Sequence, residues 1–333
     1  MVRPDDLVVL RPEGLYCPSG RFYIDPWRPV DHAVITHAHA DHARTGHARY
    51  LASSPGAGVL QARLGAISLE TVPYGKPMRI HDAEVTLFPA GHVLGSSQVR
   101  IRSGGQTWVV SGDYRVQSDV TCDTFEPVAC DTFITESTFG LPVYRWQAQA
   151  TVMQQMNAWW AANAAEGRAS VIYCYSFGKA QRLLAGLDPS IGPIIVHSAV
   201  ESLNVAYREE GVALPDTLSL TEARAANDWK RACIIAPPAW QGSGTLKRMG
   251  DHADAFVSGW MQLRGARRRR GVDAGFVLSD HADWDGLLQA ITATGASRVI
   301  VTHGSVPTLV RYLQETGLDA QPFATEFGAE ETA

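Results

Sequence analysis

Up to about Leu141 the apolar positions come in short runs separated by Gly-rich or polar segments. Runs of about four to eight apolar residues bounded by turn residues are typical of β-strands. Residues 58–69 differ, because their apolar side chains recur at the spacing of a helix. We therefore predict a β-rich first part with one helix. The predicted strands are 7–10, 22–25, 32–36, 83–88, 98–101 and 107–110.

Beyond about Leu141 strands and helices alternate along the chain. This alternation is typical of a parallel sheet covered by helices, so the sequence indicates an α/β protein. The predicted helices are 147–165, 178–187, 283–293 and 308–315, and the predicted strands are 170–174, 193–196, 232–235 and 298–302.

Length and composition exclude several classes of protein. A chain of 333 residues is long for one core, so we expect two domains or one domain with a large insertion. No apolar run reaches membrane-spanning length and residues 1–6 are too polar for a secretory signal, which predicts a cytoplasmic protein without a membrane partner. The five cysteines form no C-x-x-C pair, which argues against a disulfide framework and a cysteine-based zinc site. The acidic residues 326–333 are expected to be frayed.

Charge is distributed unevenly. The net charge of −5 excludes a uniformly basic nucleic-acid binder. One segment nevertheless carries five arginines in seven residues: Arg264, Arg267, Arg268, Arg269 and Arg270. A solvated surface is the ordinary explanation of a charge run, but like charges without an intervening acid favour an anionic partner. Because guanidinium groups match phosphate oxygens, we predict contact with nucleic-acid phosphates.

The strongest chemical signal is His37-Ala-His39-Ala-Asp41-His42, which follows an apolar strand. Imidazole nitrogens and carboxylate oxygens are ligands that suit zinc and related ions. In the alternative interpretation Asp41 caps a helix and the histidines are surface residues. The density of ligand types instead predicts a metal site that holds more than one ion.

Further residues of the same chemical character follow other predicted strands. His92, Asp113, His281 and His303 each stand at or just after an apolar run, with a Gly or another small residue nearby. Any one of them alone could be a cap or turn residue. Together they predict that several strand ends supply side chains to one site.

These motifs, taken together, resemble the metallo-β-lactamase superfamily, and more narrowly its β-CASP group of nucleases. H-A-H-A-D-H resembles the H-x-H-x-D-H signature, and the other motifs follow in the family's order: Asp25, His92, Asp113, Glu136 in T-E-S-T-F-G, the segment Tyr175–Gln181, His281 in S-D-H-A-D, and His303 in T-H-G. The resemblance implies an αββα sandwich formed by residues 1–143 and 271–333, with a β-CASP α/β domain inserted at 144–270.

A closer resemblance is to bacterial ligase-associated DNA exonucleases, carried by F-Y-I-D-P-W at 22–27, S-G-W-M at 258–261 and L-S-D-H-A-D-W at 278–284. It implies a role in DNA repair and a functional association with an ATP-dependent DNA ligase and a helicase. RNA-processing members of the group carry His at the position of His303, whereas eukaryotic members acting on DNA tend to carry Val. An RNase of the RNase J or polyadenylation-factor type therefore stands as the alternative.

The resemblance also implies a role for each residue. Two divalent ions, Zn²⁺ in the first place and Mn²⁺ as the alternative, would be held by His37, His39 and His92 and by Asp41, His42 and His303, with Asp113 bridging. His281, Asp41, Glu136 and Asp25 are the predicted catalytic residues: His281 near the scissile phosphate, with Glu136 and Asp25 orienting the histidines. Ser176 and Lys179, with the five arginines, are predicted to bind substrate phosphates.

The predicted activity is two-metal hydrolysis of phosphodiester bonds in DNA, from the 5′ end towards the 3′ end. Two other classes are disfavoured. A small-molecule metallo-hydrolase would need neither the inserted domain nor the arginine run, and an inactive scaffold would be expected to have lost metal ligands.

Overall fold

The computed structural model describes residue 3 and residues 5–226 and 229–327. The chain forms two compact units: the first runs up to Arg145 and resumes at His281, and the second is Trp146–Asp280. We refer to them as the first unit and the second unit. No helix among the described residues is both long enough and apolar enough to cross a membrane.

The strands of the described residues are β1 (Val9–Arg11), β2 (Gly14–Cys17), β3 (Phe22–Ile24), β4 (His32–Val34), β5 (Arg49–Ser53), β6 (Leu69–Val72), β7 (Met78–Ile80), β8 (Ala83–Pro89), β9 (Ser97–Ser103), β10 (Gln106–Val110), β11 (Thr132–Ser137), β12 (Ala169–Tyr173), β13 (Ile194–Val196), β14 (Leu218–Ser219), β15 (Cys233–Ala236), β16 (His252–Val257), β17 (Ala274–Phe276), β18 (Arg298–Gly304) and β19 (Asp319–Pro322). The helices are α1 (Ala57–Leu64), α2 (Gln149–Ala165), α3 (Lys179–Leu184), α4 (Ser198–Glu209), α5 (Leu220–Ala226), α6 (Gly244–Met249), α7 (Arg264–Arg270), α8 (Trp284–Thr294) and α9 (Val306–Glu315). The chain is thus a mixed α/β protein, as predicted.

The first unit contains two sheets that share a core. One has the strand order β1-β2-β3-β4-β5-β6, and the other has the order β19-β18-β11-β10-β9-β8-β7. Phe22 and Leu51 of the first sheet pack in the same buried cluster as Val110 and Ile300 of the second. Successive side chains of a strand point to opposite faces of the sheet. Val109, the residue before Val110, accordingly lies in a different buried cluster, together with residues of α8 and α9. The second sheet is therefore covered on both faces.

The second unit is built on one parallel sheet with the order β14-β13-β15-β12-β16-β17. Both faces of this sheet are buried. Ile172 packs with α2 and α3, whereas its neighbours Val171 and Tyr173 pack with Leu246 of α6. Continuous apolar strands of this kind are expected where helices cover both sides of a parallel sheet.

Candidate metal centre

The loop after β4 carries the first group of predicted ligands. A turn in which the amides of His42 and Ala43 both donate to the carbonyl of His39 holds this loop compact, at 3.2 and 2.8 Å. His37, His39 and His42 are all buried. Their rings lie close together, since the centroid of His37 is 4.9 Å from that of His39 and 4.1 Å from that of His42.

Strand ends of the second sheet bring in the remaining donors. His92 follows β8, Asp113 follows β10 and His303 lies near the end of β18. Among the described residues, four groups of potential ligand atoms lie within 4.8 Å of one another. We call His37, His39, His92 and Asp113 the first cluster, and His42, Asp113 and His303 the second cluster. The other two groups are Asp25 with His37 and His42, and Asp113 with Glu136 and His281. Asp113 belongs to both clusters.

The two oxygens of Asp113 face different histidines. Oδ2 is 3.5 Å from Nε2 of His37 and 3.4 Å from Nε2 of His42. Oδ1 is 3.1 Å from Nε2 of His303. Asp41 lies beside the second cluster, with its Oδ2 3.6 Å from Nε2 of His42. A carboxylate placed between two groups of imidazoles is suited to bridge two cations.

The hydrogen bonds of the histidine rings leave nitrogen atoms that could bind metal ions. The Nδ1 atoms of His37 and His303 lie 3.0 and 3.1 Å from the hydroxyls of Thr36 and Thr302. Nε2 of His37 and Nε2 of His42 are buried but have no hydrogen-bond partner among the described residues. Buried polar atoms are costly to leave unsatisfied, and a divalent cation would satisfy them. The buried clusters can therefore bind metal.

Asp25 orients His42 from behind. Its Oδ2 is 2.8 Å from Nδ1 of His42, and its Oδ1 accepts the amide hydrogen of Thr36 at 2.7 Å. Asp25 has a φ of 43°, which is unusual for a residue other than glycine. This strained backbone is maintained where a carboxylate fixes the tautomer and direction of a histidine.

Electrostatics set the protonation of the metal-free centre. Burial, together with neighbouring His42, lowers the pKa of His37 well below its usual value. Burial also disfavours charge on His42, but Asp113 and Asp41 outweigh it and raise the pKa of His42 well above normal. Burial would raise the pKa of Asp113, yet His42 and His303 hold it well below normal. A metal ion binding at the second cluster would therefore have to displace a proton from His42.

His281 and Glu136 form a pair next to the clusters. Nδ1 of His281 is 2.9 Å from Oε2 of Glu136, and the amide of Tyr114 donates to Oε1 of Glu136 at 2.8 Å. The His281 ring lies 4.6 Å from the ring of His92. Glu136 thus fixes the orientation of His281 and leaves Nε2 as the nitrogen suited to proton transfer.

Ser176 and Lys179 lie in the second unit, on the loop after β12 and on α3. Lys179 is fully buried, and its Nζ is 3.8 Å from Oδ2 of Asp280. Nε of Arg182 is 3.3 Å from Oδ1 of the same carboxylate. This arrangement gives Lys179 a structural partner, and its contact with a substrate phosphate, like that of Ser176, stays a prediction.

The predicted arginine run forms α7 of the second unit. Nε of Arg267 donates to the carbonyl of Met261, and the guanidinium of Arg270 lies 4.0 Å from the centre of the Phe256 ring. Arg264, Arg268 and Arg269 are exposed, and none of the three is in an ion pair with a described residue. These three side chains remain available for an anionic partner.

Sequence reasoning missed Thr36, Thr302 and Phe327. The first two could have been found, because the dipeptide Thr-His occurs at both 36–37 and 302–303 and makes the same contact each time. Phe327 packs flat against His42, with ring centroids 4.5 Å apart. It lies in the segment predicted to be frayed, and that prediction is wrong for Glu326 and Phe327. Residues 328–333 are outside the described part of the chain.

Comparison with known proteins identifies a relative over most of the chain and others over about a third of it. A probable DNA ligase of Opitutus terrae is 32% identical over 92% of this chain. Endoribonucleases called ysh1 or YSH1 from Aspergillus fumigatus and Kluyveromyces lactis are 30% and 28% identical over 36% of it. The chain spans 30% of the ligase and 14% and 16% of these two endoribonucleases. The sequence similarity confirms the resemblance to β-CASP nucleases of the metallo-β-lactamase superfamily.

A solved structure shares the fold. A protein of unknown function from Enterococcus faecalis aligns with a TM-score of 0.61 and 11% identity, over 89% of this chain and 80% of that one. No family model matches the sequence.

Gly304 provides a test of how tightly the centre is held. Its φ is +90°, and a Cβ there would lie 2.2 Å from the carbonyl oxygen of Ser137. Gly317 is a matched control, since its φ is +91° and no described atom lies within 4 Å of a Cβ built on it. We expect Gly317→Ala to lower the free energy of unfolding by about 1–2 kcal/mol through backbone strain alone. Gly304→Ala should cost about 1–3 kcal/mol more, because β11 and β18 must separate.

Chemical denaturation of both variants measures the difference. Equal decreases in stability would contradict the close packing of Gly304 against Ser137.

Proposed function

We propose that the protein is a two-metal-dependent nuclease that hydrolyses phosphodiester bonds of DNA, as a 5′-to-3′ exonuclease in DNA repair. The observation that carries the proposal is the position of Asp113, which belongs to both clusters. Its Oδ2 lies 3.5 and 3.4 Å from Nε2 of His37 and His42, and its Oδ1 lies 3.1 Å from Nε2 of His303. Two adjacent cation sites are the arrangement used for in-line displacement at phosphate.

The proposal includes the family fold. The two sheets of the first unit share one core, and helices cover the second sheet, which supports an αββα sandwich. The parallel sheet of the second unit supports a β-CASP insertion. We propose domain boundaries at residues 1–143 with 271–333 and at 144–270. The first boundary lies close to the division between the two units, whereas the first unit resumes only at His281, because β17 pairs with β16 in the sheet of the second unit.

We assign the ligands as the motifs predict. His37, His39 and His92 would hold one ion, Asp41, His42 and His303 the other, and Asp113 both. Bound divalent ions would lower the pKa of water and neutralise charge on the phosphate. The mixture of nitrogen and oxygen donors suits Zn²⁺ and also accepts Mn²⁺.

The chain's own residues supply the proton chemistry. Glu136 holds Nδ1 of His281 and fixes the orientation of its ring. Nε2 of His281 can then donate a proton to the leaving oxygen as a general acid. Asp25 keeps His42 in one tautomer by accepting from Nδ1. Both histidine rings are thus oriented before substrate arrives.

DNA is favoured over RNA because the similarity to a probable DNA ligase covers most of the chain. A functional association with a ligase and a helicase, in the cytoplasm, belongs to the same proposal. The similarity to endoribonucleases and the histidine at 303 support an RNase as the second candidate. A small-molecule metallo-hydrolase is disfavoured because it offers no role for the exposed arginines of α7.

The deciding experiment compares 5′-labelled single-stranded DNA and RNA of one sequence with Mn²⁺, Zn²⁺ or Mg²⁺. We expect the label to be released first in short products from DNA. Cleavage of RNA alone would favour the RNase. Cleavage of neither polymer with any of the three ions would overturn the proposal.

His39→Ala tests the metal centre, since it removes one donor of the first cluster. We expect kcat to fall by at least about 10²–10³-fold, the decrease typical when transition-state charge is left unsupported. The melting temperature of the variant should show that it is still folded. His252→Ala is the control, because His252 lies outside both clusters and contacts the carbonyl of Gly250. Undiminished activity of His39→Ala would exclude this centre.

The exposed arginines can be tested without disturbing the fold. Arg264, Arg268 and Arg269 are changed together to Gln, whereas Arg267 and Arg270 are kept because they contact Met261 and Phe256. For single-stranded DNA, the slope of log affinity against log salt should become shallower by about 0.7 for each phosphate that the variant no longer binds.

Arg311→Gln is the matched control, because Arg311 is exposed but paired with Glu315 in the first unit. An unchanged salt slope in the triple variant would remove α7 from the substrate path.

A further inference from the structure

The segment after β19 returns to the metal centre. The amide of Phe323 donates to the carbonyl of Val301 at 2.9 Å, and the Phe323 side chain is buried in the core. Glu326 pairs with Arg28 at 2.8 Å, although both side chains are about half exposed. An exposed ion pair of this kind contributes at most about 1 kcal/mol to stability, so it cannot by itself fix the position of the segment.

Phe327 is the residue of this segment that reaches the second cluster. Its ring is nearly parallel to that of His42, with centroids 4.5 Å apart and an interplanar angle of 12°. It meets His303 edge to face at 5.5 Å and 79°, and Trp27 at 5.6 Å and 81°. Among the described residues, it has no ring contact with the histidines of the first cluster.

The stacking of Phe327 on His42 restricts the tilt of the His42 ring, which the hydrogen bond to Asp25 does not restrict. Asp25 fixes the direction of Nδ1 at 2.8 Å, but one hydrogen bond leaves the ring able to tilt about that direction. A flat aromatic neighbour restricts the tilt, since offset stacked rings are favoured by about 0.5–1.5 kcal/mol. The plane of the His42 ring decides whether Nε2 points at Asp113, which lies 3.4 Å away.

Phe327 also closes the space behind the cluster. With Asp25, Gly112 and Thr302 among others, it lines a cavity of about 10 Å³. Such a volume is at the lower limit for a single water molecule. Removal of the ring would admit water that competes for Asp25 and for the backs of His42 and His303.

We propose that Phe327 is a positioning residue for the second cluster, which it holds in a metal-binding geometry without itself contacting metal or substrate. The inference rests on the two-metal centre of the proposed function. It makes the two ion sites unequal: the site of His42 and His303 depends on the segment after β19, and the site of His37, His39 and His92 does not.

Calorimetric titration of the metal-free protein with Zn²⁺ tests this directly, because it resolves stoichiometry and affinity without a nuclease assay. Wild-type protein should bind two ions. In Phe327→Ala one affinity should fall about 10–100-fold, the range found when groups supporting a ligand are removed, while the other stays unchanged. Phe327→Tyr should bind both ions with wild-type affinity, since it keeps a flat ring. Cobalt absorption spectra should change at one site in parallel.

Phe323→Leu is the matched control, because it perturbs the same segment in the core without touching the histidines. Phe327→Leu keeps an apolar side chain if the alanine variant fails to fold, and it should also weaken one site. Unchanged affinities in both Phe327 variants, or the same selective decrease in Phe323→Leu, would overturn the inference.

The outcome is separable from that of the proposed function. If Phe327→Ala selectively loses one ion but the wild-type protein cleaves neither DNA nor RNA, the role of Phe327 is supported and the proposed nuclease activity is excluded. Cleavage by a wild-type protein whose metal affinities do not depend on Phe327 would do the reverse.

Discussion

The carboxylate of Asp113 lies within 3.1–3.5 Å of three imidazoles, two from the loop after β4 and one from β18, and strand register is what makes this possible. In the second sheet Val110 is paired with Ile134, and Ile134 with Ile300, in parallel strands. Asp113, Glu136 and His303 each follow this row by two or three residues. A shift of one residue in β11 would turn Glu136 to the other face, and the same shift in β18 would turn His303. Correct pairing of three buried strands is therefore the condition on which the centre depends.

The buried histidines lose hydrogen bonds to water, and neighbouring side chains replace some of these hydrogen bonds. The hydroxyl of Thr36 faces Nδ1 of His37, and that of Thr302 faces Nδ1 of His303. The carboxylate of Asp25 faces Nδ1 of His42, and that of Glu136 faces Nδ1 of His281. Every one of these partners lies within two residues of the end of a strand or inside one. The sheets thus serve as the rigid base that fixes tautomers, and ring planes need additional packing, such as that of Phe327 on His42.

The residues of the two clusters could be singled out from the sequence because they are dense and stand at the ends of apolar runs. The strand that carries Glu136 could not be predicted in this way. Its sequence, T-F-I-T-E-S, mixes polar and apolar residues without a clear period, although all six are buried. They are buried because β11 lies between β10 and β18, a tertiary context that local patterns do not contain. Phe327 was missed for the same reason, since a single aromatic after polar residues shows no periodicity.

The segment Tyr175–Gln181 shows that residue types suited to chemistry also serve folding. The side chain of Gln181 accepts from the amide of Gly178 and donates to the carbonyl of Ser176 and to Asn204, at 2.8, 3.0 and 2.9 Å. Lys179 is buried against Asp280, and removing one partner of such a pair would leave an uncompensated charge. In the second unit, then, the motif organises the loop after β12.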